Sequence, residues 1–380
     1  MRAPIVTARL ADLATPCLLL DRAKLARNIE IMAAAVRRHG VALRPHMKTA
    51  KSAAVARLAT AGQAGGITVS TLAEAEYFVR EGFRDILYAV GIVPAKLDRA
   101  AALRRAGVNL ILVTDDPATA ETISGHARAT GAEHRVLVEV DCGEHRGGVE
   151  PESDAVLAVA RALGPLCAGV MTHAGHSYNC RSIAEVEDVA EAERQAAVTA
   201  AERLRGIGLA TPIVSVGSTP TALHARSLAD VTETRPGVYM FQDLFQVQIG
   251  SGVPENMAVT VLASVIHRRP AENRVVIDAG GMALSKDRST ASAPRDYGFG
   301  LVLDARGRQS LGDAIVERAN QEHGVVTAPT PLPFDRLEVG ALVRVAPNHV
   351  CMTAAAYDRY HIVDGEDDAV SDVWHRVNGW

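Results

Sequence analysis

Short β-type runs alternate with stretches of helical length from about residue 22 to residue 237, and this alternation is the feature that most restricts the fold. Helices that connect consecutive strands make those strands parallel, so an alternating series of eight predicts an α/β fold, the (β/α)8 TIM barrel. A doubly wound open sheet is the alternative, but no glycine-rich nucleotide turn follows the first run, which favours the barrel. The eight runs are residues 41–45, 66–70, 85–90, 109–114, 135–140, 167–173, 212–217 and 231–236.

Two of the intervening helices have clear boundary signals. Asp21 is placed to cap a helix whose apolar face stops at Gly40. Thr71 and Glu74 have the spacing of a capping box, and the helix that they begin is predicted to end near Gly82.

The sequence changes character after about residue 250. Runs such as MAVTVLASVIH, NRVVIDAG, ALVRVAP and YHIVDG are β-branched or alternating, and glycine and proline separate them. This pattern is typical of antiparallel β-structure, and the segment QIGSGVPEN at 248–256 has the composition of a linker. We therefore predict a barrel over residues 15–252 and a second, mainly antiparallel β domain over 253–380 with 1–14. The run CLLLD at 17–21 precedes the eight strands and is a candidate to pair with the second domain.

Composition argues against several classes of function. The chain has 380 residues and a formal net charge of −4, which disfavours a dedicated nucleic-acid surface. It has no apolar run of about 18 residues, so no membrane span is expected, and its N-terminus lacks the apolar stretch of a signal peptide. The five cysteines are scattered and form no CxxC pair, a pattern typical of a reducing compartment. We expect a soluble, cytoplasmic protein.

Polar residues come directly after the predicted strands. Lys48 follows the first strand, Asp141 and Arg146 follow the fifth, and the segment THAGHSY ends the sixth. The segments GSTPT at 217–221 and RPGVY at 235–239 follow the seventh and eighth strands. Because barrel enzymes build their sites at the C-terminal ends of the strands, we expect these residues to share one site.

The loops after the seventh and eighth strands have the features of a phosphate site. In the first of them a glycine permits close approach, two hydroxyls can bind an oxyanion, and a proline suits the first turn of a helix. A phosphate site opposite a strand-one lysine indicates pyridoxal 5'-phosphate, which needs an amine for its Schiff base. Neighbouring cations in RPHMKTAKS disfavour the ammonium form of Lys48, whereas Lys51 is interpreted as an ordinary solvated lysine.

A second group of polar residues lies far downstream, in the segment PNHVC. His349 and Cys351 are two residues apart at the end of a strand-like run, and on an extended chain such side chains point to one face. An imidazole and a thiol could then bind one metal ion, and this pair of donors favours zinc over magnesium or manganese. Two protein ligands are fewer than zinc sites usually have, so this pair taken alone favours a buried cysteine beside a surface histidine over a metal site.

Seven segments together resemble a known family of enzymes. They are TPCLLLD, RPHMKTAKS, GITVSTLAEAE, DCGEHRGGV, VSVGSTPTAL, NQEHG and PNHVC. In combination they are similar to the fold-type III pyridoxal-phosphate enzymes, in the branch that holds D-serine dehydratase, D-threo-3-hydroxyaspartate dehydratase and D-threonine aldolase. The likeness extends from about residue 15 to the final NGW. Many members of this branch have histidine at the position of Ala50, so this chain departs from the family there.

The resemblance implies a barrel of the alanine racemase type, a β domain, a homodimer and a set of site residues. Lys48 would form the Schiff base with pyridoxal 5'-phosphate, Arg146 would lie near the ring oxygen and Tyr178 near the pyridine ring. The residues that match the phosphate-binding group of the family are Gly217, Ser218, Thr219, Gly237 and Val238. His349 and Cys351 match the metal ligands beside the cofactor, and they lie in the predicted β domain.

The resemblance also implies a reaction. Aldolases of this branch tend to have His-x-Asp at the metal position and to use harder divalent ions such as Mn2+, whereas the dehydratases have His-x-Cys and use Zn2+. Because this chain has Cys351, we expect elimination of water from a D-3-hydroxy amino acid, either D-threo-3-hydroxyaspartate or D-serine, to give a 2-oxo acid and ammonia. A D-threonine-type aldolase is the first alternative. A non-enzymatic pyridoxal-phosphate carrier is the second, and the predicted second domain argues against it.

The proposed chemistry carries one spatial requirement. The amine of Lys48 and the His349–Cys351 pair must converge on the same small molecule, with the amine site serving its nitrogen and the metal pair its hydroxyl oxygen.

Overall fold

The computed structural model describes residues 8–380, in which nineteen strands and eleven α-helices occur. The strands are β1 (Ala8–Arg9), β2 (Cys17–Asp21), β3 (Ala42–Leu43), β4 (Ile67–Val69), β5 (Asp85–Tyr88), β6 (Asn109–Thr114), β7 (Arg135–Val140), β8 (Cys167–Thr172), β9 (Ile213–Val216), β10 (Glu233–Thr234), β11 (Val259–Arg269), β12 (Arg274–Ile277), β13 (Leu301–Asp304), β14 (Ile315–Ala319), β15 (Gly324–Thr327), β16 (Leu342–Ala346), β17 (Arg359–Val363), β18 (Ala369–Val370) and β19 (Asp372–His375). The helices are α1 (Arg22–Arg37), α2 (Ala53–Thr60), α3 (Leu72–Arg80), α4 (Leu97–Arg105), α5 (Pro117–Thr130), α6 (Asp154–Leu163), α7 (Ile183–Gly206), α8 (Thr219–His224), α9 (Leu244–Gln248), α10 (Gly281–Leu284) and α11 (Val350–Ala354).

Strands β3 to β10 form the predicted barrel. They are all parallel, in the order β3-β10-β9-β8-β7-β6-β5-β4, and a helix connects each strand to the next along the chain. A parallel bridge between His46 and Thr68 joins the two ends of this order and closes the sheet. The prediction of a (β/α)8 barrel is therefore confirmed, and each of the eight predicted runs contains one of its strands.

Two of the barrel strands are less than half as long as predicted. The predicted runs 41–45 and 231–236 contain only the two-residue strands β3 and β10. Pro45 and Pro236 follow these strands, and proline has no backbone N–H with which to continue a ladder. The carbonyl oxygens still take part, since Pro45 accepts from Thr68 N–H at 2.9 Å and Pro236 from His46 N–H at 2.9 Å.

The predicted helix boundaries follow from local capping. Asp21 Oδ1 accepts the N–H groups of Ala23 and Lys24, both at 3.0 Å, at the start of α1. At the start of α3 the Thr71 hydroxyl accepts from Glu74 N–H at 3.0 Å. Glu74 does not complete the reciprocal half of a capping box, because its Oε2 accepts the N–H of Ser70 at 2.7 Å.

Apolar side chains from several strands fill part of the barrel interior. Neighbouring strands β5 to β8 contribute side chains to one cluster, which consists of Leu87, Ile111, Val113, Leu137, Ala168 and Met171. Alternate residues of a strand point to one face, so these positions mark the inward face of the barrel. Glu139 shares that face with Leu137, which places a carboxylate beyond the apolar layer toward the C-terminal end of β7.

The remaining strands, apart from the small β1–β18 pair, form a nine-stranded sheet that is mainly antiparallel. Its order is β12-β15-β14-β13-β16-β11-β2-β17-β19. The early strand β2 pairs with β11 and with β17, which confirms that the run at 17–21 joins the second sheet. The expected antiparallel β domain is therefore present, and α11 follows β16 within it.

The chain divides into two compact units. One contains Ile31–Gly237 with Val377–Trp380, and the other contains residues 8–30 with Val238–Arg376. This division differs from the one predicted at residue 252, because residues 17–21 pair with the second sheet and because Leu244 and Phe245 donate their N–H groups to the carbonyls of Pro347 and Asn348.

None of the helices in residues 8–380 combines the length and the hydropathy that a membrane crossing requires.

Candidate active site

A cavity of about 350 Å³ lies at the C-terminal ends of the barrel strands. It brings together three of the predicted site residues, Lys48, Arg146 and Gly217. The other polar residues that line it are Ser70, His46, Glu139, His173 and Arg235. Its volume is within the range of small-molecule sites, and its lining comes from loops after at least five strands.

The two lysines of RPHMKTAKS have different environments. Lys48 lines the cavity, and its backbone N–H donates to His46 Nδ1 at 3.3 Å. The backbone of Lys51 has a φ of +48°, and its amine is paired with Glu74, which is buried, at 2.8 Å. Lys51 is therefore committed to an ion pair, contrary to its interpretation as a solvated lysine, and Lys48 is the lysine at the cavity.

Two histidines at the cavity are held neutral. Burial, and then the charges of Lys48 and Arg235, lower the pKa of His46 well below its usual value. Burial and the charge of Lys48 also lower the pKa of His173 to about 3. His173 Nδ1 lies 3.1 Å from the carbonyl oxygen of Gly217 and must donate to it, so Nε2 of the neutral ring has no proton and is an acceptor.

Arg235 is a cavity residue that the sequence analysis included only as part of the segment RPGVY at 235–239. Its guanidinium is buried and donates to the hydroxyl of Ser215 and to the carbonyl of Thr172. Ser215 in turn donates to Glu233 at 2.6 Å. Burial lowers the pKa of Arg235, although Glu233 opposes this. The only sequence signal for this residue was its position directly after the eighth strand.

A neighbouring buried arginine supports the same network without lining the cavity. Arg44 donates to Glu233 at 2.8 Å and to both oxygens of Asp85 at 3.1 Å. These ion pairs commit Arg44 to the barrel interior.

The loop after β9 is shaped by Gly217 and by a carboxylate from α7. The φ of Gly217 is +123°, and a Cβ there would lie 2.3 Å from the hydroxyl of Thr234, so only glycine fits. Glu193 Oε1 accepts the N–H of Gly217 and that of Ala174, both at 2.9 Å. Burial raises the pKa of Glu193. This glutamate joins the loops after β8 and β9, and the sequence analysis missed it.

The hydroxyl residues of this loop are used in its own structure. Ser218 is the N-cap of α8, where its Oγ accepts from Thr221 N–H at 3.3 Å and is bonded to Ser177 at 2.9 Å. Thr219 is fully buried. Gly237 lies beside the lysine loop, because a Cβ there would come within 3.0 Å of the carbonyl oxygen of His46.

Of the remaining predicted cofactor residues, Arg146 lines the cavity, whereas Tyr178 and Val238 are not among its lining residues. Arg146 is exposed and forms a 3.5 Å ion pair with Glu144. Its loop is folded around Asp141, whose Oδ1 accepts the N–H groups of Gly143 and His145. Tyr178 is half-buried in the 3-10 helix Gly175–Asn179, after β8. Val238 is buried and belongs to the other unit.

In that other unit, His349 and Cys351 are brought together at the start of α11. The imidazole of His349 is hydrogen bonded to Cys351, and its Nδ1 lies 3.0 Å from Oδ2 of Asp243. Although burial opposes it, Cys351 and Asp243 raise the pKa of His349 well above its usual value. Asp243 is fully buried, and its Oδ2 also accepts the N–H of Val350 at 3.0 Å. These groups stabilise a positive charge, and the sequence analysis missed the aspartate.

Asp141, His145 and Glu150 form a different cluster of potential metal ligands, within 4.8 Å of one another. The ring of His145 is already bonded to Asp141 at 2.7 Å, and its side chain is exposed. We interpret this cluster as part of the fold of the Arg146 loop.

Comparison with known proteins gives matches along almost the whole chain. Residues 20–244 match the family model described as alanine racemase, N-terminal domain, and residues 258–363 match the model described as putative serine dehydratase domain. D-threo-3-hydroxyaspartate dehydratase of Delftia sp. (strain HT23) is 42% identical over 98% of this chain and 99% of its own. The chain belongs to the fold-type III pyridoxal-phosphate enzymes.

A further relative and a solved structure are also similar to this chain. D-threonine aldolase of Arthrobacter sp. is 31% identical over 96% of this chain and 92% of its own. A variant of D-threo-3-hydroxyaspartate dehydratase has been solved in its metal-free form, with a TM-score of 0.94, 41% identity, and coverage of 98% of this chain and 100% of that chain.

The barrel cavity fits the cofactor of the family. It contains an amine on Lys48, an acceptor nitrogen on His173 and a buried cation on Arg235. Pyridoxal 5'-phosphate needs an amine for its Schiff base, and an arginine guanidinium suits its phosphate oxygens. Residues 217 and 237 are glycines, and a Cβ at either position would collide with Thr234 or His46, respectively. The backbone at both positions therefore stays accessible to a ligand.

The His349–Cys351 pair fits a thiophilic metal. With Nδ1 of His349 directed at Asp243, Nε2 is the nitrogen left for a metal, which is the arrangement of histidine ligands held by a carboxylate. Thiolate and imidazole donors suit zinc. Lys48 and this pair belong to different units, and their convergence on one small molecule stays a prediction.

Proposed function

We propose that this chain is a pyridoxal 5'-phosphate- and zinc-dependent dehydratase of D-3-hydroxy amino acids. It would eliminate water from D-threo-3-hydroxyaspartate or D-serine, and hydrolysis of the resulting enamine gives a 2-oxo acid and ammonia. The observation that carries the proposal is the 42% identity to a D-threo-3-hydroxyaspartate dehydratase along 98% of the chain. The serine dehydratase model that matches residues 258–363 supports the same reaction class.

Pyridoxal 5'-phosphate would supply a carbonyl carbon for the substrate amine and an electron-withdrawing ring, and zinc a Lewis acid for the departing hydroxyl. In this proposal Lys48 binds the cofactor through its Nζ and later accepts the proton from the substrate Cα. Neutral His46 and His173 add no positive charge beside that amine. Arg235 provides a fixed cation toward the cofactor, and its bonds to Ser215 and Thr172 prevent it from moving.

The other predicted residues have supporting roles in the proposal. Arg146, on its folded loop, would lie near the ring oxygen of the cofactor, and Tyr178 would lie near the pyridine ring. The residues assigned to the phosphate group are Gly217, Ser218, Thr219, Gly237 and Val238. Both donors of Ser218 have partners within the protein, because its hydroxyl is hydrogen bonded to Thr221 and Ser177 and its backbone N–H donates to Thr221 Oγ1 at 3.0 Å. A phosphate contact through Ser218 would therefore replace one of these hydrogen bonds.

His349 and Cys351 hold the metal in this proposal, and Asp243 positions His349. The Asp243 carboxylate fixes the ring so that Nε2 is directed away from the aspartate. Manganese or another divalent ion is the alternative occupant, although a sulfur ligand disfavours the harder ions.

A D-threonine-type aldolase is the second candidate, and the 31% identity to a D-threonine aldolase favours it. It would cleave the Cα–Cβ bond and release glycine and an aldehyde. The sulfur ligand Cys351, where aldolases of the family tend to have aspartate, favours the dehydratase.

A product assay separates the two candidates. The purified chain, loaded with pyridoxal 5'-phosphate and zinc, is incubated separately with D-threo-3-hydroxyaspartate, D-serine and D-threonine, and the 2-oxo acid, ammonia and glycine are measured. We expect equimolar 2-oxo acid and ammonia from at least one substrate. Formation of glycine and an aldehyde would contradict the dehydratase and support the aldolase. The absence of all these products would contradict both candidates.

The same samples test the assignment of the lysine. Lys48→Ala is expected to lose the visible absorbance of the protein-bound imine and all elimination activity, because no other amine in the loop faces the cavity. Lys51→Ala is the matched control and should keep the absorbance, since its amine is bound to Glu74. Survival of the absorbance in Lys48→Ala would refute the assignment.

We further propose that the protein is a homodimer that acts in the cytoplasm on a small D-amino acid, with no nucleic-acid or membrane partner. None of the five cysteines, all of which lie within residues 8–380, forms a disulfide, which suits a reducing compartment. Sedimentation of the loaded protein should give a mass of twice 40.2 kDa, and a mass of 40.2 kDa would contradict the dimer.

A further inference from the structure

A second cavity, of about 420 Å³, is lined entirely by residues of the unit that contains the nine-stranded sheet. One of the lining residues is Arg344, whose neighbours on the sheet follow from the strand register. Arg344 on β16 lies opposite Leu262 on β11 and opposite Leu303 on β13. Residues that lie opposite one another on neighbouring strands share a face, so Arg344 stands between two leucines on one side of the sheet.

Arg344 is buried but only partly bonded. Its residue exposure is 4%, and its Nε donates to the carbonyl of Ala305 at 2.8 Å. Its Nη2 is also buried and has no hydrogen-bond partner in residues 8–380. Burial lowers the pKa of this guanidinium. A buried charge without a partner is costly, and an apolar residue between two leucines would avoid that cost.

The acids nearest to Arg344 are engaged elsewhere. Asp21 Oδ1 accepts the first N–H groups of α1. Asp304 accepts from Arg308 at 3.3 Å and from Ser310 at 2.7 Å. Among the described residues, none forms an ion pair with Arg344 within 4.0 Å, so these acids act on it only at longer range.

The rest of the lining indicates what kind of anion would fit. Lys24 and Arg306 add positive charge to the lining, and Asp21 and Glu255 add negative charge. Arg308 is paired with Asp304 and with Glu366. The walls beside Arg344 are largely apolar, being formed by Leu19, Met257, Ala258, Leu301, Leu303 and Val363. An inorganic anion would leave these walls in contact with water, whereas an anion with a hydrocarbon part would cover them. The volume is within the range of small-molecule sites.

We propose that this cavity binds a small aliphatic carboxylate, whose oxygens accept hydrogen bonds from the Arg344 guanidinium and whose hydrocarbon part packs against the leucine wall. The planar fork of an arginine matches the two oxygens of a carboxylate, and Nη2 supplies a donor that the protein leaves without an acceptor. Nothing in the proposed dehydratase reaction uses this cavity, so the inference does not rest on that function.

Titration calorimetry of the full chain, loaded with pyridoxal 5'-phosphate and zinc, tests this site with hexanoate as the probe. We expect one molecule of hexanoate per chain in this cavity, with affinity at least about tenfold weaker in Arg344→Met, because a charged hydrogen-bonded pair is lost. Hexanamide has the same hydrocarbon part without the charge and is expected to bind at least about tenfold more weakly than hexanoate. Arg318→Met is the control, since Arg318 is exposed on β14 of the same sheet.

A second variant covers the case in which Arg344→Met does not fold. Leu303→Phe keeps the guanidinium and narrows the cavity, and it should weaken hexanoate binding while Arg344 stays in place. The proposal is overturned if wild-type protein binds no hexanoate, or if folded Arg344→Met or Leu303→Phe binds it as well as wild type. If hexanamide binds to the wild-type protein as tightly as hexanoate, the ligand does not need a negative charge, which contradicts the proposal. If the cavity binds inorganic phosphate more tightly than hexanoate, its ligand is not an aliphatic carboxylate, and the proposal is also overturned.

Discussion

At the scale of single residues, the environment separates side chains of the same type. Lys48 and Lys51 are three positions apart, yet one lines the barrel cavity and the other is bound to Glu74 at 2.8 Å. The spacing in the sequence could rank the two lysines. It could not identify Glu74 as the partner of Lys51, because Glu74 lies on α3 and Lys51 lies in the segment before α2. The same is true of His349, whose bonding partner Asp243 is 106 residues away in the chain.

Asp243→Asn tests the positioning of His349. The amide keeps an acceptor oxygen for the N–H groups of Gln246 or Val350 but removes the charge that holds the His349 ring. We expect zinc affinity to fall about 10- to 100-fold, because the loss of the hydrogen-bond partner of a metal-binding histidine has an effect of this size. Competition with a chromophoric chelator measures this directly, without an activity assay.

The matched control is Asp296→Asn, which removes an exposed carboxylate paired with Arg288 in the same unit. Its zinc affinity should equal that of wild type. If Asp243→Asn also retains wild-type affinity, Asp243 does not position the ligand, and its role is limited to capping α9.

At the scale of elements, one side chain of α7 holds two barrel loops together. Glu193 accepts the N–H of Ala174 after β8 and the N–H of Gly217 after β9. The loops at the mouth of a barrel are otherwise independent connections, so this carboxylate keeps His173 and Gly217 in register across two strands. Its position inside a helix has no signal in the sequence, because glutamate is an ordinary helical residue.

Glu193→Ala should therefore lower the free energy of unfolding by about 3 kcal/mol, since two buried N–H groups lose their acceptor. It should also weaken retention of pyridoxal 5'-phosphate, because the Gly217 loop is no longer held. Glu193→Gln keeps an acceptor oxygen and should lose less. Urea unfolding and cofactor retention on dialysis are the two measurements.

Glu191→Ala provides the comparison on the same helix. Glu191 forms a 2.6 Å ion pair with Arg194 near the surface, and the loss of such a pair is worth less than about 1 kcal/mol. Equal destabilisation by Glu191→Ala and Glu193→Ala would show that the loop contacts of Glu193 contribute nothing.

At the scale of the whole molecule, stability is expected to depend on pH through buried neutral histidines. Burial, and then the charges of His126 and Arg104, lower the pKa of His134 to about 4. An unfolded chain would protonate this ring near pH 6.5, so between about pH 6.5 and pH 4 the unfolded state binds a proton that the folded state does not. Stability therefore decreases as the pH falls through that window, by about 1.4 kcal/mol per unit for this histidine.

His134→Gln removes this titration. Its free energy of unfolding should decrease less steeply than that of wild type as the pH falls from 6.5 to 4, as measured by urea unfolding at several pH values. His375→Gln changes an exposed histidine and is expected to leave the slope unchanged. A wild-type slope in His134→Gln would mean that His134 is not held neutral in the folded protein.

The sequence by itself determined the number and order of the barrel strands, the presence of a β domain and the lysine that faces the barrel cavity. These features depend on periodicity, on helical crossovers and on the position of residues directly after strands, all of which are local along the chain. The resemblance of seven short motifs to a known family was carried by equally local patterns, and the family is confirmed.

Only the tertiary structure decided which distant side chains meet. The division of the chain near Val238 depends on the pairing of β2 with β11, and the role of Arg235 depends on its bonds to Ser215 and Thr172. Arg344 has no signal in its own segment, because its lack of a partner follows from the leucines opposite it and from acids that are bonded elsewhere. Such contacts join residues tens to hundreds of positions apart, and no local pattern specifies them.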